Sequence, residues 1–142
     1  MKTMFMVITA LLAAVMLVGC GGEEVAVTIE AVEKALSVDL DSLSDDSVKD
    51  IYSGTGLVIK YVDLEGAGEV IEKDIASSPK WSPLPYSGNV KELLTSSGAD
   101  KHYDFDGIEK GYYTLNEAAD SHTVGIWDST DETLYYISVT KN

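Results

Sequence analysis

The chain opens with a long apolar stretch and then changes to short amphipathic segments. Met4 to Val18 is apolar except at Thr9 and follows a single lysine, Lys2. Its length falls short of the ~20 residues that a membrane-crossing helix requires. Beyond it, Ile29, Val32 and Leu36 recur at helical spacing, with Glu30 and Lys34 four apart, which predicts a helix over residues 28–37. Residues 38–47, rich in Asp and Ser, read as a loop. Val48 to Ser53 suits a strand or a helix, and the Gly54-Thr55-Gly56 that follows favours a strand ending in a hairpin turn. Leu57 to Val62 is a buried strand by its β-branched and aromatic content. Ala67, Ile71 and Ile75 return to helical spacing until Pro79, and the prolines of Trp81 to Tyr86 keep that stretch extended. Asn89 with Glu92 marks a short helix start, with Val90, Leu93 and Leu94 as its apolar side and Gly98 as its stop. Strands follow at Gly111 to Leu115, Thr123 to Trp127 and Leu134 to Thr140, the last two joined by the polar turn Asp128 to Glu132. The pattern predicts an α+β domain: an antiparallel sheet of four to five strands with two or three helices on one face.

The apolar opening ends in Leu17-Val18-Gly19-Cys20. A positive start, a short apolar core and small residues at its end are the layout of a leader peptide. The last four positions resemble the lipobox of bacterial lipoproteins: two aliphatic residues, a glycine and a cysteine. That resemblance implies signal-peptidase recognition at Leu17, Val18 and Gly19, a diacylglyceryl group on the Cys20 thiol, and cleavage before it. Two or more acyl chains, at about 0.8 kcal/mol per buried methylene, hold a protein stably. The plain alternative is an ordinary secretory leader that happens to end near a cysteine. The expected organisation is therefore a leader at 1–19, a lipidated tether at 20–27 and one α+β domain at 28–142, held at the cell envelope and facing outside the cytoplasm.

Charge narrows the partners. The ten basic residues are all lysine, and loss of Lys2 with the leader leaves nine against 24 acids, a formal charge of −15. Such a surface repels nucleic acid and anionic headgroups and attracts cationic partners. Its plain reading is solubility beside an anionic membrane. Cys20 is the only cysteine, so an intramolecular disulfide is excluded. A domain of this size buries about two-thirds of its unfolded surface, so its stability requires no cofactor, and we expect a monomer.

Candidate chemistry is sparse. Asp39-Leu40-Asp41 through Asp50 alternates acids as a calcium loop begins, yet Leu43 stands at position five, Ser44 replaces the turning glycine, and Asp50 takes the place of the bidentate glutamate. Asp104-Phe105-Asp106-Gly107 is shorter still. His102 and His122 lack metal-ligand spacing, and neither Ser87-Gly88 nor Ser97-Gly98 lies in a nucleophile elbow. We expect no metal and no catalytic residue. The rival, an enzyme with an unfamiliar site, would need a pocket holding a histidine beside perturbed carboxylates.

The aromatics are more informative. Trp81, Tyr86, Tyr112, Tyr113, Trp127, Tyr135 and Tyr136 would place about half their rings in the core and half outside. Outward rings among Trp81, Tyr86, Tyr112, Trp127 and Tyr136, near Pro83-Leu84-Pro85, form a candidate surface for a protein, peptide or glycan. Trp81 to Pro85, Gly111-Tyr112-Tyr113 and Ile126-Trp127-Asp128 through Leu134-Tyr135-Tyr136 resemble small secreted or lipid-anchored proteins of Gram-positive gut bacteria, an uncharacterised group. That likeness implies the α+β fold and no activity. Members of the group carry charged residues, often arginine, after the paired tyrosines, whereas this chain has Asn116-Glu117-Ala118-Ala119-Asp120 there, without arginine. The expected function is a membrane-anchored, non-catalytic binding module, or alternatively an inhibitor or immunity-type protein directed at a cationic partner.

Overall fold

The computed structural model describes residues 24–141. The leader, Leu17, Val18, Gly19 and Cys20 lie outside those residues. Six strands, β1 (Val48–Gly54), β2 (Leu57–Val62), β3 (Ser82–Pro83), β4 (Gly111–Glu117), β5 (Ser121–Asp128) and β6 (Thr133–Thr140), form one sheet in the order β1-β2-β6-β5-β4-β3. Every neighbouring pair is antiparallel. Among the described residues three α-helices accompany it: α1 (Ile29–Leu36), α2 (Gly68–Ser77) and α3 (Gly88–Ser96). The fold is α+β, with six strands rather than four to five. The sixth strand is the two-residue β3, at the edge opposite β1; the other five lie where the pattern places them.

The helices are not confined to one face, and this corrects the sequence expectation. α1 and α2 press Val32, Leu36, Ile71 and Ile75 onto Val62, Trp127 and Leu134. On the opposite side α3 presses Val90 and Leu94, with Phe105, onto Leu57, Ile59, Val124, Ile126 and Ile137. Adjacent strand residues point to opposite faces, so Ile126 and Trp127 enter different cores. A sheet covered on both faces is what apolar residues at both parities require.

Local chemistry sets the boundaries. Thr28 caps α1 by accepting a hydrogen bond from the Ala31 N–H, and Ser37 closes the helix in a left-handed conformation. α3 is capped by Ser87, whose hydroxyl accepts from the Val90 N–H at 3.3 Å; Asn89, expected at the helix start, lies inside the first turn. β1 and β2 are joined by Thr55-Gly56, with Gly56 at φ 82°. β1 carries an irregularity between Asp50 and Tyr52, a common protection for an exposed edge. Gly125 on β5 is where α1 and Trp81 approach the sheet, since a Cβ there would meet Leu36 Cδ2 at 2.7 Å and Trp81 Cη2 at 2.9 Å. Among the described residues no helix is long and apolar enough to cross a membrane.

Candidate functional site

The aromatic set expected at the surface is divided by the fold. Trp127 is fully buried and its Nε1–H donates to Glu72 Oε1 at 3.1 Å. Trp81 is also buried and donates through Nε1–H to the Leu36 carbonyl at 2.8 Å. Both indoles therefore serve the core, each with its polar atom satisfied. Tyr112 and Tyr136 pack half-buried against the first core, whereas Tyr86 and Tyr113 pack against the second. Tyr135 is buried in the second core, its hydroxyl 2.6 Å from that of Tyr103. Burial, that hydrogen bond and the charges nearby raise the Tyr135 phenol far above its ordinary range. Four of the five rings of the candidate surface thus pack in or against the first core, and the fifth, Tyr86, lies on the opposite face and lines a cleft.

That cleft, of about 300 Å³, is lined by Leu84, Pro85, Tyr86 and Ile108 with Lys91, Asp106 and Glu109. The Trp81–Tyr86 segment enters it after β3, α3 supplies Lys91, and the 3-10 turn Phe105–Gly107 supplies Asp106. The Leu84–Pro85 bond is cis, and the Leu84 N–H donates to the Gly111 carbonyl at 3.0 Å. Tyr86 is fixed by its hydroxyl donating to the Phe105 carbonyl at 2.8 Å and by an edge contact with the Tyr113 ring at 5.8 Å. Burial, followed by the charges of Asp106, Asp128 and Asp104, pushes its phenol well above the ordinary value, so it stays protonated. The cleft combines an apolar floor with two carboxylates and one ammonium at its rim.

Two further clefts have other characters. One, of about 410 Å³, runs along Glu24 to Thr28, Asp45, Asp46 and Val48 to Asp50, with Lys60 in its lining. Lys60 is buried, and its Nζ lies 2.9 Å from Asp50 Oδ1 and 3.2 Å from Glu24 Oε2. Another, of about 370 Å³, is polar and follows the edge of β4 beside Lys34, Lys80, Thr114 and Asn116.

The remaining sequence candidates take structural roles. The residues of the calcium-like stretch part company: Asp45 Oδ1 accepts from the Ile29 N–H at 2.8 Å, Asp50 pairs with Lys60, and Asp39 and Asp41 meet Glu33. Those three carboxylates lie within 4.8 Å of one another. Glu33 Oε2 also accepts from the Leu40 N–H at 2.7 Å. That hydrogen bond lowers the Glu33 pKa, but partial burial and the neighbouring Asp41 and Asp39 outweigh it, and the carboxyl titrates above its ordinary value. Glu33 escaped the sequence reading because it belongs to α1 and reaches the loop only through the Ser37 turn. Asp104 caps the short turn by accepting from the Gly107 N–H at 3.1 Å.

His102 stacks on Tyr52, ring centroids 3.7 Å apart, while His122 Nδ1 faces Glu117 Oε1 at 3.5 Å across β4 and β5. The two histidines keep different company, and neither lines the three clefts described. Ser87 and Ser97 serve helix ends, Ser97 accepting from the Ala99 N–H at 3.3 Å. Lys91 and Glu109 were not singled out in the sequence, since isolated surface charges carry no local signal. No protein-family model, curated protein or solved structure matches the chain.

Proposed function

We propose that the chain is a lipid-anchored envelope protein, non-catalytic, whose folded domain binds a peptide segment carrying a basic side chain next to an apolar one. The observation that carries the reading is the Pro85 cleft. Leu84, Pro85 and Ile108 offer apolar contact, and Asp106 and Glu109 stand beside it. The charge of the remaining chain extends the attraction for a cation beyond the rim. Lys91, in the same lining, supplies a counter-charge for a carboxylate or carbonyl of the same ligand. The lipobox-like Leu17-Val18-Gly19-Cys20 supports placement at the membrane surface. A fixed ring beside a short apolar floor suits a few residues of peptide rather than a long helix.

The test is a titration of the domain with short peptides in which Lys or Arg alternates with Leu or Phe, followed by nuclear magnetic resonance. Shifts at Leu84, Tyr86 and Ile108 that weaken at least tenfold in an Asp106→Asn/Glu109→Gln variant, and that decline with added salt, support the reading. Shifts spread over the whole acidic surface, unchanged by the variant, would count against it. The same charge favours a second reading, an inhibitor or immunity-type protein docked on a basic protein partner. It predicts burial of standard interface area, about 1,600 Å², well beyond the cleft.

A further inference from the structure

We infer that the segment joining the lipid anchor to the fold is pinned to the domain, so that the anchored protein stands with its β1 side toward the membrane and the Pro85 cleft turned away. The inference rests on lipidation at Cys20 as proposed above. Its structural part begins at Lys60. This residue lies on the face of β2 shared with Val62, its side chain is 1% exposed, and its Nζ reaches both Asp50 and Glu24. A buried ammonium is costly to leave unpaired, and Glu24, though itself mostly exposed, supplies the second of its two carboxylates. Asp50 comes from the neighbouring strand, but Glu24 comes from the chain that leads to the anchor.

Glu24 is not the only attachment. Val27 packs against the first core, the Ile29 N–H donates to Asp45 Oδ1, and the Thr28 side chain caps α1. From Glu24 onward the chain therefore moves with the domain. Only four residue steps separate Cys20 from Glu24, a reach of at most ~14 Å. A domain of roughly 120 residues has a radius of gyration of about 13 Å and a diameter of about 35 Å. A tether shorter than half the diameter cannot bring the far side of the body to the bilayer.

The cleft occupies that far side. The pinned segment lies on the first face beside β1 and β2, whereas the cleft opens on the second face, where Tyr86 meets Tyr113 of β4 beyond β6 and β5. The outermost strands are five spacings apart, about 24 Å at ~4.8 Å each. The two sites are thus separated across the width of the sheet and through its thickness.

The experiment uses the full lipidated protein in vesicles of neutral phosphatidylcholine, with one cysteine introduced at Asp46→Cys or at Glu92→Cys and labelled with a fluorophore. A quencher attached to the lipid headgroups should quench the Asp46 probe at least threefold more strongly than the Glu92 probe. A ten-residue Gly/Ser spacer inserted after Gly22 should bring the ratio close to one. Glu24→Gln, a change at an exposed side chain, should accelerate amide exchange of residues 25–28 several-fold while leaving the sheet unchanged. Protein that floats with vesicles but shows equal quenching at both probes overturns the inference alone. A ratio that survives the spacer, or exchange that Glu24→Gln does not alter, overturns it too. Protein that fails to float with vesicles defeats the lipid-anchor reading, and the inference falls with it.

Discussion

Lys60 and Asp50 face each other across β1 and β2, with Nζ 2.9 Å from Oδ1, and the ammonium is buried while the carboxylate is about a quarter to a third exposed. The asymmetry predicts unequal mutants. Asp50→Asn leaves a desolvated ammonium with only Glu24 for charge compensation and should cost about 3 kcal/mol. Lys60→Met removes the buried charge itself and should change stability by less than about 1 kcal/mol. Urea unfolding of both variants checks this, and equal losses would contradict it.

The same pair sets an acid limit. Burial alone would raise the Asp50 carboxyl, but the Ser53 hydroxyl and the Lys60 ammonium outweigh it and hold it below the usual carboxylate range. A carboxyl depressed on folding contributes stability that is complete above the unfolded value, about 3.9, and is lost as pH falls through the folded value. Unfolding measured from pH 6 down to pH 2 should therefore show a wild-type loss that is smaller in Lys60→Met.

Both indoles are buried with satisfied N–H groups, so tryptophan emission should be blue-shifted in the native protein and resist iodide and acrylamide. Trp81→Phe leaves the Leu36 carbonyl without its donor, at a cost of about 1–3 kcal/mol including the lost packing. Emission quenched as readily as free tryptophan would contradict the placement of both rings.

Much of this fold was legible in the sequence because the signals were local. α1, α2, β2 and the β4-β5-β6 meander follow from spacing and turn residues, with boundaries shifted by one or two positions. The two covered faces are also encoded, in the apolar residues on both parities of Leu57 to Val62 and Val124 to Trp127, but a buried strand alone does not say that a second helical layer covers it. Lys60 gave no warning of burial, since its compensation comes from Asp50 and Glu24, ten and 36 residues away. The Pro85 segment was recognisable as unusual, but its companions were not. Lys91, Asp106 and Glu109 come from separate elements that only the tertiary fold brings together.

Gly125 shows how closely the first layer sits on the sheet. A methyl group there would press on Leu36, Trp81 and the Thr114 side chain at 2.7, 2.9 and 3.0 Å. Gly125→Ala should cost about 1–3 kcal/mol through overpacking. The double variant Gly125→Ala/Leu36→Ala should recover part of the first loss, because the added methyl enters space that the leucine vacates. Simple additivity in thermal unfolding would argue against the contact.

Glu33 predicts the opposite pH behaviour from Asp50. Its folded-state carboxyl titrates above its ordinary value beside Asp41 and Asp39, so the folded state binds the proton more readily than the unfolded chain. Its contribution to stability falls as pH rises through that range. Glu33→Gln keeps an oxygen acceptor for the Leu40 N–H and removes one of three adjacent charges. The variant should melt a few degrees higher than wild type at pH 7 and no higher at pH 4. A melting point lowered at pH 7 would sink the argument.

Ser87 links a helix cap to the cleft. Its hydroxyl accepts from the Val90 N–H, and the next residue along α3, Lys91, stands at the rim with its own N–H bonded to the Ser87 carbonyl at 3.0 Å. Loss of a serine cap costs about 1 kcal/mol, and the loss falls on the first turn, where the Val90 N–H is left without its acceptor. Ser87→Ala should therefore destabilise the domain by about that amount and raise amide exchange at residues 89–91. Asn89→Ala, within the turn, should change stability by less than about 0.5 kcal/mol. If the cleft binds a basic-apolar peptide through an ordered rim, Ser87→Ala should also weaken that binding a few-fold, with Asn89→Ala near wild type. A larger effect of Asn89→Ala than of Ser87→Ala on stability and exchange would show that Asn89, not Ser87, governs the start of α3.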